Sequence, residues 1–239
     1  MSIDAEALGA SLQRLARADP DTDVLATLRQ VTRACADIFT ITGCGIMISD
    51  EQNVPHYVAA SDETGRILEK AESETRQGPC TEAYVKDQVV ASSDLRTDQR
   101  WPELAVAMAD RDVRAVLGVP VRLAGAVVGT LDVYLDRPHD WDDLERAALC
   151  RYGAVIEAVL ASAMAAHTAG ELASQLQYAL DYRISIERGI GYLMASERLD
   201  AVEAFNRLRQ AARSTRTKIG AVADELLRTG RLPELGPIR

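Results

Sequence analysis

Apolar positions recur along the chain with two different periods. Leu8, Leu12 and Leu15 share one helical face, and Ala18–Pro20 ends that helix. A second stripe, Val24, Leu28, Val31, Cys35 and Ile38, predicts a helix capped by Asp21 or Asp23. Gly43 to Gly45 breaks it. The run GIMIS then reads as a strand, residues 50–53 as a turn, and 54–60 as the strand returning in a hairpin. Residues 61–87 are polar and predict two helical pieces, the second opening at Gly78 and Pro79. A short strand at 89–91, a polar loop at 92–102 and a helix to about residue 111 follow. Ala115–Val121 and Ala126–Leu135 are apolar strands joined by a Leu-Ala-Gly turn, and Asp140–Asp142 opens a long helix through at least Met164. Strands in hairpin-like pairs among helices predict an α+β domain, an antiparallel sheet with flanking helices.

Past residue 170 the pattern changes. Leu172, Leu176, Ala179, Ile186, Ile190 and Leu193 alternate spacings of four and three, which makes a narrow coiled-coil-like seam on one helix. Arg183 stands where the series calls for another apolar residue. Its structural alternative is an ion pair with Asp181 or Glu187 of a neighbouring helix. In the preceding helix, Val155, Ile156, Val159, Leu160, Ala163 and Met164 cover more than one side. One side suits the sheet and the other a second subunit, so the long helices predict a homodimer. Residues 165–170 between the two helices are weakly patterned and read as a hinge.

Charge separates the two parts. From His167 onward there are 11 Lys and Arg against 9 Asp and Glu, or +2, whereas residues 1–166 carry 16 against 27, or −11. Between Phe205 and Ala223 lie Arg207, Arg209, Arg213, Arg216 and Lys218 with no acid. An acidic body repels polyanions and membranes, while a local basic face can still bind one. Cys35, Cys44, Cys80 and Cys150 form no CxxC pair, which predicts buried small hydrophobes in a reducing cytoplasm and no metal site. No run of about 18 apolar residues and no signal-peptide pattern is present, so neither membrane nor export is expected. His56, His139 and His167 are isolated and read as surface residues. No nucleophile–base pair, carboxylate pair, HExxH or phosphate loop is found, so no catalytic residue is expected.

Four stretches resemble a GAF domain over residues 22–165: QGPC (Gln77–Cys80), SSDLRTDQRWPEL (Ser92–Leu104), VRAVLGVPV (Val113–Val121) and VVGTLDVYLDRPHDW (Val127–Trp141). Residues 169–231 resemble an ANTAR domain, the three-helix RNA-binding module of transcription antitermination regulators. The resemblance rests on Leu176–Met194, on Ala204, Phe205, Leu208, Arg209 and Ala212, and on Ile219–Leu227. It implies a sensor over 1–167 and an all-α output domain over 168–239. It further implies that two paired ANTAR modules each hold one hairpin loop of a nascent mRNA leader and so block a terminator stem, with RNA and not DNA as the partner.

The residues expected at that RNA are Arg183, Arg188, Gly191, Arg209, Arg213, Arg216 and Lys218. Arg209, Arg213 and Arg216 share a face if their helix persists that far, and Thr217 is placed to cap the last helix. Tyr178, Tyr182 and Tyr192 have rings that can stack on bases, but tyrosine at helical spacing more often belongs to a core or an interface. Where the family commonly has Ala-Lys-Gly before Leu-Met, this chain has Gly189, Ile190 and Gly191. A cation is lost, and the double glycine predicts close approach of a neighbouring helix or of RNA. The GAF part carries neither a cyclic-nucleotide signature nor a bilin Cys-His pair, which leaves no assigned cofactor and an unidentified small ligand. Cys80, near a helix start that can lower a thiol pKa, is a candidate redox trigger. No receiver-type phosphoacceptor pattern occurs. A second class of function fits as well: a ligand-sensing or dimerising GAF scaffold acting through protein partners without RNA.

Overall fold

The computed structural model describes residues 4–16, 24–49, 55–166 and 170–233. In chain order the elements are α1 (Ala5–Ala16), α2 (Val24–Phe39), β1 (Gly43–Ser49), β2 (Pro55–Ala60), α3 (Glu63–Thr75), α4 (Pro79–Lys86) and β3 (Val90–Ser92). They continue with α5 (Pro102–Ala107), β4 (Ala115–Leu123), β5 (Ala126–Leu135), α6 (Asp143–Ala166), α7 (Gly170–Glu197), α8 (Ala201–Thr215) and α9 (Ile219–Thr229).

The five strands form one antiparallel sheet in the order β2-β1-β5-β4-β3. The turn between β4 and β5 places Ala124 (φ 49°) and Gly125 (φ 83°) both in the left-handed region, the geometry that matches strand twist in a tight hairpin. Alternation along β5 then feeds two cores. Leu131, Val133 and Leu135 face α2 and α6, where Leu28, Val31, Cys35, Leu149, Tyr152, Ile156 and Leu160 are buried. Tyr134 faces the opposite side, among Met47, Leu68, Cys80, Trp101 and Leu104. A third core belongs to α7–α9: Ile186, Ile190, Leu193, Phe205, Leu208, Ile219, Val222 and Leu226, joined by Tyr84 of α4 and Val127 of β5.

Several boundaries differ from the sequence reading. β1 begins at Gly43 because the glycine is itself a sheet position: it pairs with Tyr134, whose hydroxyl stands where a Cβ would be. α5 stops at Ala107, where Ala109 N–H turns to the Val106 carbonyl (3.2 Å) and Arg111 N–H to Met108 (3.0 Å), tightening the chain into a turn. The α2 stripe ends on buried Phe39, with Ile38 half-buried. α6 begins with a reciprocal cap: Glu145 N–H donates to Asp142 (2.8 Å) while the Glu145 carboxylate accepts from Asp142 N–H (2.9 Å). By length and composition α6 is apolar enough to cross a bilayer, yet one side of it lies against the sheet as in the core helix of a globular domain. Residues 17–23 and 50–54, with the caps and turn assigned to them, lie outside the described residues, as do 167–169 of the hinge and the side chains of Leu172, Leu176 and Ala179.

Candidate nucleic-acid interface

The last three helices position the basic residues. α8 starts at a capping box in which Glu203 N–H donates to Asp200 (2.8 Å) and Asp200 N–H to Glu203 (2.9 Å). It ends one residue earlier than a shared Arg209–Arg213–Arg216 face requires. Arg216 is its left-handed C-cap (φ 53°) and points away from the helical series. The cap of α9 is Lys218, which makes no side-chain cap bond, and not Thr217, whose hydroxyl donates to the Thr215 carbonyl (3.3 Å). An α9 N–H is met from α7 instead: Gly220 N–H donates to the Tyr178 hydroxyl (3.0 Å). The Lys218 ammonium lies 4.9 Å from the centre of the Tyr178 ring, and Tyr182 stacks on that ring at 4.5 Å. A Cβ on Gly220 would run into Tyr182, so only glycine lets α9 start this close to α7.

This geometry divides the seven expected residues. Arg213, Arg216 and Lys218 come together, exposed, at the α8–α9 corner. Arg188 and Gly191 are also exposed, but they lie ten and thirteen residues beyond Tyr178 on α7, roughly 15–20 Å along the helix axis. Arg183 and Arg209 turn inward, with 8% and 2% of their surface exposed. Arg183 is paired with Glu187 one turn along its own helix (2.7 Å), not with a neighbouring helix, and its guanidinium sits 5.5 Å from the Tyr84 ring centre. The two glycines also part company. A Cβ on Gly189 would press on Ala223 (3.2 Å) and Leu208 (3.3 Å), whereas a Cβ on Gly191 would meet no other element within 4 Å among the described residues. Close helix approach therefore explains the first and leaves the second facing outward. Of the tyrosines, Tyr178 is buried, and Tyr192 donates to the Gly230 carbonyl (3.3 Å) at the end of α9. Tyr84 and Val127 complete this core from far upstream, and nothing in their local sequence marks them for it.

In the sensor half, Cys80 sits in the first turn of α4. Glu72 of α3 accepts the N–H groups of Cys80 (3.3 Å) and Thr81 (2.9 Å), so a carboxylate already occupies the positive end of that helix. Burial, with Asp132 and Glu72 beside it, holds the Cys80 thiol well above its ordinary pKa. This is opposite to the lowering that a helix start alone would cause. Burial, reinforced by the Glu72 charge, pushes Asp132 up to about 8. Thr130 donates to it (2.8 Å). Glu72 is raised by burial and partly brought back by the Cys80 thiol and by the N–H groups it accepts from Thr81 and Cys80. Cys35 and Cys44 are buried as expected, whereas Cys150 is exposed on α6. His139 is not a plain surface residue: its Nε2 lies 2.9 Å from both oxygens of the α6 cap residue Glu145. The His56 side chain and His167 lie outside the described residues.

A GAF domain profile matches residues 21–161 and an ANTAR domain profile matches residues 174–227. Solved structures agree in fold over the sensor. The GAF domain of a phosphoenolpyruvate-protein phosphotransferase from Acinetobacter is 19% identical, with TM-score 0.54 over 70% of this chain and 98% of that one. Free methionine-R-sulfoxide reductase from Neisseria meningitidis, in complex with its substrate, is 16% identical, with TM-score 0.55 over 70% and 96%. The GAF domain of the corresponding phosphotransferase from Coxiella burnetii is 16% identical, with TM-score 0.54 over 68% and 95%. At these identities the likeness concerns the fold alone. No match is found among curated proteins.

Proposed function

We propose that this chain, a member of the GAF family with an ANTAR domain following the GAF domain, is a regulator with a sensor input and an RNA-binding output that binds paired hairpin loops of mRNA leaders as a homodimer. The observation that carries this reading is the corner formed by Arg213, Arg216 and Lys218, all exposed, in a stretch from Phe205 to Ala223 that holds no acid. Arg216 and Lys218 stand at the positive end of the α9 dipole, which by itself disfavours a nearby cation by about 0.3–1 kcal/mol. A phosphate bound there reverses that penalty and releases counterions. Arg188 and the open backbone at Gly191 extend the surface along α7. Loop bases of RNA, splayed and unstacked, suit such a mixture of cations and bare backbone.

Pairing of two chains is assigned to the long helices. The outer face of α6 carries Leu144, Ala147, Ala154, Ala158 and Ala161 exposed, with spacings close to a seam. The protein acts in the cytoplasm, without catalysis, on RNA and not DNA, and takes its input as a small ligand in the sensor. A gel-shift titration against a two-hairpin RNA tests the output. The wild-type chain should bind with a steep inverse salt dependence, and Arg213→Ala with Lys218→Ala should weaken binding about 10-fold or more and lower the salt slope by about 2. Absence of any shift at low salt would assign the chain to protein-mediated scaffolding instead.

A further inference from the structure

α4 belongs to both halves of the molecule. Its first turn is tied into the sensor, where the Glu72 carboxylate, 3% exposed, accepts two of its N–H groups. Gly78, just before it, has φ 147°, and a Cβ there would run into the Glu72 carboxyl group. The helix therefore cannot shift at that end without disturbing Glu72. Its second half carries Tyr84, buried against Phe205 of α8 with ring centres 5.9 Å apart. Tyr84 is also the ring under Arg183. At the rim, Asn206 of α8 donates to the Arg76 carbonyl (3.0 Å), and the Arg76 guanidinium donates to Gln210 of α8 (3.3 Å). Above these contacts runs an open groove of about 740 Å³ between the two halves, bordered by Glu82, Lys86 and Glu103 on one side and Glu203, Asn206 and Gln210 on the other.

We propose that α4 is a latch that keeps Arg183 from RNA, an inference that rests on the RNA-binding reading given above. Arg183 comes from the first helix of the output domain, at a position that matches the RNA-binding family motif. Here its cationic plane is spent on a sensor tyrosine and an intrahelical carboxylate. A phosphate or loop base can reach it only after Tyr84 withdraws. RNA and α4 then compete for one side chain, so release of α4 raises RNA affinity, and bound RNA loosens α4 by the same factor. A sensor signal needs no continuous helix through the segment between α6 and α7 to act. Any change that moves Glu72 moves the N-terminal end of α4, and Tyr84 stands at the other end of the same two turns.

The test uses the full chain and a two-hairpin RNA, read by fluorescence anisotropy at low salt. Tyr84→Ala should tighten binding about 5-fold to 100-fold, the ordinary range of coupling between two sites. Arg76→Gly loosens only the rim. Its φ of 59° suits glycine, so the turn is not strained, and binding should tighten about 2-fold to 5-fold. It stands in if Tyr84→Ala does not fold. Arg183→Ala should weaken RNA binding more in the Tyr84→Ala chain than in wild type, which simple loosening of the structure would not produce. If wild type binds RNA and both Tyr84→Ala and Arg76→Gly, folded by circular dichroism, bind equally well, the latch is overturned while the RNA reading stands. If none of the chains binds at any salt, the RNA reading falls and the latch with it.

Discussion

The starts of α4 and α9 pose the same problem and resolve it in opposite ways. Each helix opens on a residue that offers no side-chain cap, Gly78 in one case and Lys218 in the other. In the sensor, a buried anion from α3 closes the gap, and the positive end of the helix is consumed internally. In the output domain, a neutral tyrosine hydroxyl takes the N–H of Gly220, and the residues around it are cations at the surface. The first arrangement has nothing left to attract an external anion. The second leaves a positive corner. Two helix starts without a side-chain cap thus give a structural knot in one place and a candidate phosphate site in the other, and the difference lies in which charge the tertiary neighbours bring.

Removing the internal anion should have the largest effect. Glu72→Ala leaves two N–H groups and a cavity inside the sensor, and should destabilise the chain by about 2–4 kcal/mol in urea unfolding. Asp132→Asn sharpens the same contrast through pH. Asp132 titrates at about 8 in the folded chain, against an ordinary value of 3.8, so between those values the folded state holds a proton that the unfolded chain has lost. Stability is therefore full below the lower value and drains as pH rises toward the upper one, by up to about 1.4 kcal/mol per pH unit. Asparagine keeps the shape and cannot ionise, so the variant should be more stable than wild type at pH 8 and should flatten the melting temperature across pH 5–8. The smallest effect belongs to the neutral closure: Tyr178→Phe removes one acceptor and should cost about 1 kcal/mol, with the Lys218–ring contact kept.

What sequence shows of this molecule is what neighbours in the chain decide. The β4–β5 hairpin is announced by two apolar runs about the Leu123–Gly125 turn, and α4 by Gly78 and Pro79, because turn chemistry and helix starts are local. The three output helices are legible for the same reason, through their apolar seams and the order of their motifs. The direction of Arg183 was not legible, since it is set by Tyr84, about one hundred residues upstream. Thr217 has the chemistry of a cap, yet Lys218 holds that position, because the left-handed Arg216 ends α8 and displaces the start of α9 by one residue. Likewise the helix start at Cys80 suggests a reactive thiol, and burial, with Asp132 and Glu72 beside the sulfur, reverses the sign. Burial and long-range pairing decide those three, and neither is written in a local pattern.

Val127 and Tyr84 are sensor residues by position and output residues by packing. Grafting only the C-terminal helices onto a foreign input module would transplant the recognition surface without its floor, unless the recipient supplied an aromatic ring and a branched aliphatic side chain at equivalent places. Chimaeras that carry these two residues across should melt in one transition; those that omit them should expose Phe205 and become sticky.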